Sequence, residues 1–294
     1  MYHYTVIQWM FFFYFYCFFG WCFESAYVSI KNRHPVNRGF MRGPFLPLYG
    51  TGAIMMLLVS MPFQDNLFLV YVAGCIGATI LEYVTGVVME ALFKVRYWDY
   101  SNDRFNFQGH ICLGSSLAWG FLTIFMTEVL HKPVERMVLS IPSMVLTIVT
   151  CILTAGIGAD FALSFKAALD LKDVLVKMEQ AKEELARIQK RLDVIIAVTG
   201  EDIANRKEDI AESIEEKLEK LRVLSQAEPG GRLESMREEI SDLKARYIRS
   251  REERRRLGDL RDVFQRALIR SHPSMSSQRF REALEELKKN SRKK

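Results

Sequence analysis

The hydrophobic positions along the chain follow two different patterns, and the change between them lies near residue 162. Before this point, long apolar runs alternate with short polar segments. After it, apolar residues recur at regular intervals among charged ones. An α-helix needs about 20 apolar residues to cross a bilayer, and the run from Leu67 to Phe93 is longer than that. The pattern predicts a membrane domain over residues 1–162 and a charged domain over residues 163–294.

Five apolar runs predict an all-α, polytopic membrane domain with five transmembrane helices. The runs extend over residues 4–30, 45–61, 67–93, 111–130 and 137–161, with a short turn predicted at 131–136. The first run lacks the basic segment that precedes the apolar core of a signal peptide. We therefore expect it to be retained as a helix.

The charges of the loops predict the orientation of the membrane domain. Residues 31–42 contain four Lys and Arg residues and residues 94–110 contain three, whereas 62–66 contain none and 132–136 contain two. Cytoplasmic loops carry the excess of Lys and Arg. We therefore predict a multi-pass protein of the plasma membrane, with the N-terminus outside and the C-terminal tail in the cytoplasm.

The apolar residues of the tail recur with the heptad spacing of a coiled coil. The series begins with Leu171, Met178, Leu185 and Leu192. Its phase slips after Thr199, which indicates a discontinuity in a long helix, and the sequence Glu228-Pro-Gly-Gly-Arg predicts a turn near 228–232. We expect a cytoplasmic helical hairpin, or coiled coil, with a short terminal helix near 277–290.

The charge of the tail bears on its partners. Residues 1–162 hold nine Lys and Arg and nine Asp and Glu residues, whereas residues 163–294 hold 31 and 26. Acidic neighbours offset the basic run at 249–256, so no nucleic-acid partner is expected. The heptad pattern leaves open whether the tail also pairs two copies of the chain in a homodimer.

The sequence contains no glycine-rich phosphate loop, dinucleotide fingerprint, zinc-peptidase motif or serine-hydrolase motif. His110 and Cys112 lack the further ligands that a metal site needs. The five cysteines form no CxxC pair, so reduced thiols are expected. We predict no cofactor, no metal and no catalytic residue, and any ATPase would have to be a separate subunit.

Three acidic residues inside apolar runs are the main candidates for function. Glu82 lies near the middle of the third run, with Gly86 and Glu90 on the same predicted helix face, and Glu24 lies in the first run. A carboxylate inside the bilayer is costly, so such groups normally face other helices or water and are often functional. The alternative is a protonated glutamate that only joins two helices by a hydrogen bond.

Polar residues of the two basic loops complete the candidate site. Arg38 and Arg42 precede the second run, where a helix N-terminus favours anions, although anchoring to anionic lipids is an alternative. Asp99 and Asn106 either line a pocket at the membrane surface or cap turns. We expect the loop arginines to reach Glu24 and Glu90, and Glu82 to contact Ser, Thr or Tyr side chains of neighbouring helices.

Four segments of the membrane half have sequences similar to those of a known protein family. They are Asn37-Arg-Gly-Phe-Met-Arg-Gly-Pro-Phe-Leu-Pro-Leu-Tyr-Gly, Leu81-Glu-Tyr-Val-Thr-Gly-Val-Val-Met-Glu, Trp98-Asp-Tyr-Ser and Asn106-Phe-Gln-Gly-His-Ile-Cys-Leu. Through them, roughly residues 10–160 resemble the ABC-transporter type IV family, often called CmpB-like. The resemblance implies a permease-like subunit with a transported solute and a separate ATPase partner. His110 stands where the family pattern favours a basic residue, often Arg.

Together, these features favour an integral-membrane transport component with a polar, acidic site inside the membrane. The predicted substrate- or ion-binding residues are Glu24, Arg38, Arg42, Glu82, Glu90, Asp99 and Asn106. The alternative is a membrane-anchored scaffold or sensor that acts through its cytoplasmic coiled coil. An enzyme with Glu82 or Glu90 as general base near Arg38 on a lipid phosphate is the least favoured function, and we predict that the chain is not an enzyme.

Overall fold

The computed structural model is mostly helical and describes residues 4–199, 214–227, 237–259 and 263–292. Its first four helices are α1 (Val6–Asn32), α2 (Pro47–Ser60), α3 (Leu67–Phe93) and α4 (Leu113–Phe125). The others are α5 (His131–Ser140), α6 (Ser143–Thr199), α7 (Ile214–Ala227), α8 (Arg237–Gly258), α9 (Val263–Ser271) and α10 (Arg281–Arg292). A 3₁₀ turn at Met61–Phe63 extends α2, and a π-helical turn at Met126–Leu130 joins α4 to α5.

Four of the helical segments are long and apolar enough to cross a membrane. They are Val6–Lys31, Leu67–Phe93, Leu113–Ser140 and Ser143–Ile196, and the second predicted run forms the shorter apolar helix Pro47–Phe63. The protein is therefore a multi-pass membrane protein. The third helix has the bounds that the sequence predicted, because the Asn66 side chain caps its start and Lys94, with φ 61°, ends it.

The turn predicted at residues 131–136 is wrong, because these residues are helical. Helix α4 continues through the π turn into α5. The helical segment ends only at Ile141, whose backbone is extended with ψ 130°. Pro142 disfavours the helical conformation for the residue before it. Pro133, inside α5, has no backbone N–H to donate to the preceding turn, and the wider π turn lies where that hydrogen bond is missing.

In the membrane domain, α1 packs antiparallel with α2, and α3 packs antiparallel with α4. Tyr49 of α2 bonds to Glu24 near the end of α1, while Phe12 packs in one apolar cluster with Leu57. The rings of Tyr71 and Phe121 lie 4.8 Å apart near the far end of the α3–α4 pair. The core of the bundle is formed by Phe12, Tyr16, Ala53, Met56, Leu57, Ala78, Met126, Val138 and Leu146.

The loop between α3 and α4 contains a small hairpin that the all-α prediction missed. Strand β1 (Asn106–Phe107) pairs antiparallel with β2 (Ile111–Cys112). Its two turn residues, Gln108 and Gly109, have φ values of 53° and 73°, as a tight hairpin turn requires. This end of the bundle, which also holds the loop between α1 and α2, is called the loop end below.

The chain divides into two compact units, one formed by 1–172 with 261–294 and the other by 173–260. The last two helices therefore pack with the membrane half, although the sequence predicted a division at residue 162. An isolated β-bridge between Arg96 and Ser276 is part of this packing.

The second unit contains the end of α6 together with α7 and α8. Its core is formed by Ile188, Leu192, Ile195, Leu218, Leu221 and Leu243. Asp193 and Lys217 form an ion pair at 2.5 Å, although 24 residues of continuous helix would separate them by about 36 Å. Helices α6 and α7 therefore lie side by side, and in the described part of this unit α6, α7 and α8 pack around one apolar core. The predicted turn at 228–232 lies outside the described residues.

Candidate functional site at the loop end

Glu82 is buried between α3, α4 and the loop that joins them. Its side chain is 6% exposed. Tyr100 donates to Oε1 at 3.0 Å, and Ser115 and Trp119 donate to Oε2 at 3.2 and 2.9 Å. The contacts predicted for Glu82 with Ser and Tyr side chains are confirmed, although Tyr100 belongs to a loop and the indole of Trp119 was not expected.

The hydrogen-bond partners of Glu82 are all neutral, and this distinguishes Glu82 from Glu24 and Glu90. Within the described ranges, no Lys, Arg or His lies within salt-bridge distance of its carboxylate. The hydroxyl of Tyr100 can also accept a hydrogen bond, so the site suits a protonated carboxyl as well as a carboxylate. The carboxylate of Glu82 therefore receives hydrogen bonds from Tyr100, Ser115 and Trp119 but no charge-compensating contact from a described basic residue.

Glu24 forms the ion pair that the sequence predicted. Arg38 donates from Nε to its Oε1 at 3.2 Å, and the hydroxyl of Tyr49 bonds to Oε2. Arg38 itself is held by Ser25 Oγ, which accepts from its backbone N–H at 3.1 Å.

Glu90 pairs with a residue that the prediction did not name. Arg96 Nε donates to its Oε2 at 2.8 Å, and His110 Nε2 lies 3.1 Å from the same oxygen. Lys94 ends α3 in a left-handed conformation, so the chain turns back and brings Arg96 beside the helix. The expectation that Arg38 or Arg42 reaches Glu90 is therefore wrong.

Gly86 provides the space for this arrangement. A Cβ atom at this position would lie 2.9 Å from Nδ1 of His110 and 3.3 Å from the ring of Trp98. The β-hairpin loop, which contains His110, therefore packs closely against the face of α3 that holds Glu82 and Glu90.

Asp99 is fixed by neighbours on two sides. Ser101 donates to its Oδ1 from the backbone at 3.0 Å and from the hydroxyl at 2.5 Å, and Ser276 donates to Oδ2 at 2.7 Å. Burial raises the pKa of Asp99, but these hydrogen bonds and the charge of Arg96 outweigh it and hold the pKa below its usual value. The carboxylate of Asp99 therefore holds Ser276 against the loop between α3 and α4.

Asn106 and Arg42 lie apart from the acids. Asn106 donates to the carbonyl of Asp103 at 2.8 Å and accepts from the N–H of Gly109 at 3.2 Å, so it caps a turn. The guanidinium of Arg42 stacks 3.3 Å from the ring centre of Phe264. The structure does not bring these two predicted site residues into contact with Glu24, Glu82 or Glu90.

A segment near the C-terminus covers the loop end, and we call residues 271–277 the strap. Backbone hydrogen bonds of 2.8 and 2.9 Å join Arg96 to Ser276 in both directions. Arg38 Nη1 donates to the carbonyl of Ser271 at 2.7 Å, and Ser277 donates to the carbonyl of Lys94 at 2.8 Å. The sequence predicted only a short terminal helix in the tail, whereas the segment before this helix contacts the membrane domain.

The strap also buries a histidine. The ring of His272 meets the ring of Tyr97 edge-on, with centroids 4.8 Å apart. Burial, and to a smaller extent the charge of Arg38, lowers the pKa of His272 to about 3. His272 is therefore neutral in the docked strap.

Sequence reasoning missed several partners of the acids, namely Tyr49, Arg96, Tyr100, His110, Ser115 and Trp119. The four-residue spacing of Ser115 and Trp119 in α4 was the signal that one helix face carries polar groups. No pattern in the sequence indicated that the strap would lie on the loop end.

The fold and these contacts define a polytopic helical membrane protein with acidic residues buried between its helices. Residues 11–165 match the family described as "Putative ABC-transporter type IV". The chain belongs to this family, which confirms the resemblance seen in its sequence. No curated protein matches the chain, and no solved structure matches it.

Proposed function

We propose that the protein is a membrane transport component in which Glu82 binds the transported or coupling cation. The observation that carries the proposal is the contrast between Glu82, whose partners are three neutral donors, and Glu24 and Glu90, which pair with arginines. An acid inside the membrane without a fixed positive partner is typical of ion and proton pathways.

The proposed location is the plasma membrane, which the chain crosses five times. The N-terminus lies outside, and the loop end, the strap and the tail lie in the cytoplasm. The support for this topology is the antiparallel packing of α1 with α2 and of α3 with α4, together with the Lys and Arg residues of the loop end. The helix Pro47–Phe63 would span about 25 Å at 1.5 Å per residue, close to the hydrocarbon thickness of about 30 Å.

A bundle of five helices is small for a complete pathway, so the proposal includes partners. A separate ATPase subunit is the partner that the family description suggests. A second copy of the chain, joined through the heptad residues of the tail, would also enlarge the pathway.

The test is uptake into proteoliposomes across a broad panel of polar solutes and cations. Glu82→Gln keeps the size of the side chain and removes its charge, so transport should fall to the level of empty vesicles. Glu128→Gln is the matched control, because Glu128 is a half-exposed acid of the membrane domain whose partner is Lys132. Wild-type vesicles that match empty vesicles for every solute would contradict the proposal.

A second candidate function is a membrane-anchored scaffold or sensor. The observation that favours it is that residues 173–260 form a compact unit with an apolar core of its own. Replacing this unit by a flexible linker, while keeping the strap, should leave a transporter active in proteoliposomes. A scaffold would instead lose a specific cytoplasmic protein in co-purification.

The enzymatic alternative has less support. It needs Arg38 beside Glu82 or Glu90 as an anion-binding group, and Arg38 pairs with Glu24. We therefore propose no catalytic role for these residues.

A further inference from the structure

A line of polar residues runs along the rod formed by α4, the π turn and α5. Every fourth residue belongs to it, namely Ser115, Trp119, Thr123, Thr127, His131 and Glu135. Thr123 and His131 are 0% exposed and Thr127 is 4% exposed, so the line faces the interior of the bundle. A four-residue spacing drifts around an α-helix by about 40° per step, and the wider π turn at Met126–Leu130 counteracts that drift.

The line begins at the candidate site. Trp119 donates to Glu82, the hydroxyl of Thr123 donates to the carbonyl of Trp119 at 2.8 Å, and the hydroxyl of Thr127 donates to the carbonyl of Thr123 at 2.9 Å. Each threonine oxygen also has acceptor capacity of its own. Polar groups therefore extend from Glu82 toward the end of the bundle opposite the loop end.

The line ends in a cluster of titratable groups around His131. Tyr16 OH lies 2.8 Å from its Nδ1, and Tyr4 OH lies 3.0 Å from its Nε2. Tyr4 also bonds to the carboxylate of Glu135, which is only half-buried. A chain of hydrogen bonds thus joins Glu135, through Tyr4 and His131, to Tyr16 in the bundle core.

We propose that His131 is a proton-transfer group that connects the end of the bundle opposite the loop end to Glu82. This inference rests on the proposed role of Glu82 and identifies its cation as a proton. Imidazole can gain a proton at one ring nitrogen while it releases one from the other. Among the described residues, the titratable groups seen to face it are Tyr4, just before α1, Tyr16 of α1 and Glu135 of α5.

The two proton-binding groups are separated by a tight helix contact. A Cβ atom on Gly74 would lie 2.2 Å from the hydroxyl oxygen of Thr123, so the backbone of α3 lies directly against the line between His131 and Glu82. A residue larger than glycine at position 74 would therefore press on Thr123 in the middle of the line.

The experiment measures proton flux into proteoliposomes that contain a trapped pH dye, after a pH gradient is imposed with the membrane potential clamped. Wild-type flux should exceed that of empty vesicles. His131→Gln and Tyr16→Phe should each lower the initial rate by about tenfold or more, the scale of a positioned proton-transfer group. Tyr16→Phe retains the ring that packs in the core, so it decides the result if His131→Gln does not fold. Glu128→Gln should have wild-type flux.

The outcomes separate this inference from the proposed function. Flux that is lost in Glu82→Gln but kept in both His131→Gln and Tyr16→Phe would overturn the role of His131 and leave Glu82 as the binding group. Flux that is lost in Tyr16→Phe but kept in Glu82→Gln would leave His131 as a proton-transfer group, but it would contradict both the connection of His131 to Glu82 and the proposed function. Wild-type flux equal to that of empty vesicles would overturn the inference directly.

Discussion

The two compact units use charged residues in different ways. In the membrane unit, Glu82 and Arg96 are 6% and 8% exposed, and each is held by several specific partners. In the unit 173–260, the pairs of Arg246 with Glu184 and of Arg191 with Glu239 lie on the surface around an apolar core. Exposed ion pairs contribute about 0–1 kcal/mol, whereas a buried charge that loses its partner is strongly destabilising. Charged side chains therefore hold the candidate site together in the membrane unit, whereas in the unit 173–260 they form ion pairs on the surface.

The largest effect should follow from Arg96→Ala. It removes the cation between Glu90 and Asp99, so these two partly buried carboxylates keep only their contacts with His110, Ser101 and Ser276. We expect a loss of about 3–5 kcal/mol in the stability of the membrane unit, measured as resistance to thermal unfolding in nanodiscs. Lys132→Ala, which removes a half-exposed partner of Glu128, should leave the stability nearly unchanged.

The second unit should be most sensitive in its apolar core. Leu192 is 0% exposed, and Leu192→Ala should cost about 3 kcal/mol because it leaves a cavity between α6 and α7. The helical signal lost on denaturant unfolding gives the measurement. A loss in Leu192→Ala no larger than that of a surface ion-pair variant would contradict the contrast drawn between the units.

Acidification should release the strap and leave the unit 173–260 unaffected. The pKa of His272 is lowered to about 3 by burial, so below its unfolded value near 6.5 the undocked state binds more protons. Stability therefore falls as pH falls, by about 1.4 kcal/mol per pH unit, or about 2 kcal/mol over the first unit and a half. Hydrogen exchange of residues 271–277 should accelerate accordingly.

The control for this pH effect is His272→Phe, which keeps an aromatic ring against Tyr97 but cannot gain a proton. Its strap should exchange at nearly the same rate across this pH range. An equal acceleration in His272→Phe and wild type would assign the effect to another group. The lowered pKa of Asp99 predicts a separate loss at lower pH, since its contribution is present above the unfolded pKa and disappears as pH falls through the folded value.

The smallest effect should be that of Arg246→Ala. Arg246 pairs with Glu184 on the surface of the unit 173–260, so removing the guanidinium should leave the stability of this unit nearly unchanged. Chemical denaturation of Arg246→Ala beside Leu192→Ala makes the comparison within one unit. A cost near that of Leu192→Ala would show that the ion pair is structural.

Sequence reasoning succeeded where hydrophobic pattern and capping determine structure locally. The bounds of α3 agree with its apolar run, because Asn66 and Lys94 cap its ends, and the Glu24–Arg38 pair followed from the cost of an unpaired charge in the membrane. Sequence reasoning failed where contacts in the folded chain determine the local structure. The π turn before Pro133 keeps 131–136 helical, and the left-handed Lys94 brings Arg96, not Arg38 or Arg42, to Glu90.

The most direct test of the central claim is the infrared difference spectrum of the reconstituted protein on acidification of the buffer, compared between wild type and Glu82→Gln. If the cation of Glu82 is a proton, as inferred above, acidification must protonate its carboxylate, so the wild-type spectrum should contain a carboxylic-acid band that is missing in the variant. The same variant should fold with wild-type thermal stability to within about 1 kcal/mol, because glutamine can accept the hydrogen bonds from Ser115 and Trp119. Identical carboxyl bands in wild type and Glu82→Gln would contradict the assignment of Glu82 as the proton-binding group of this membrane protein.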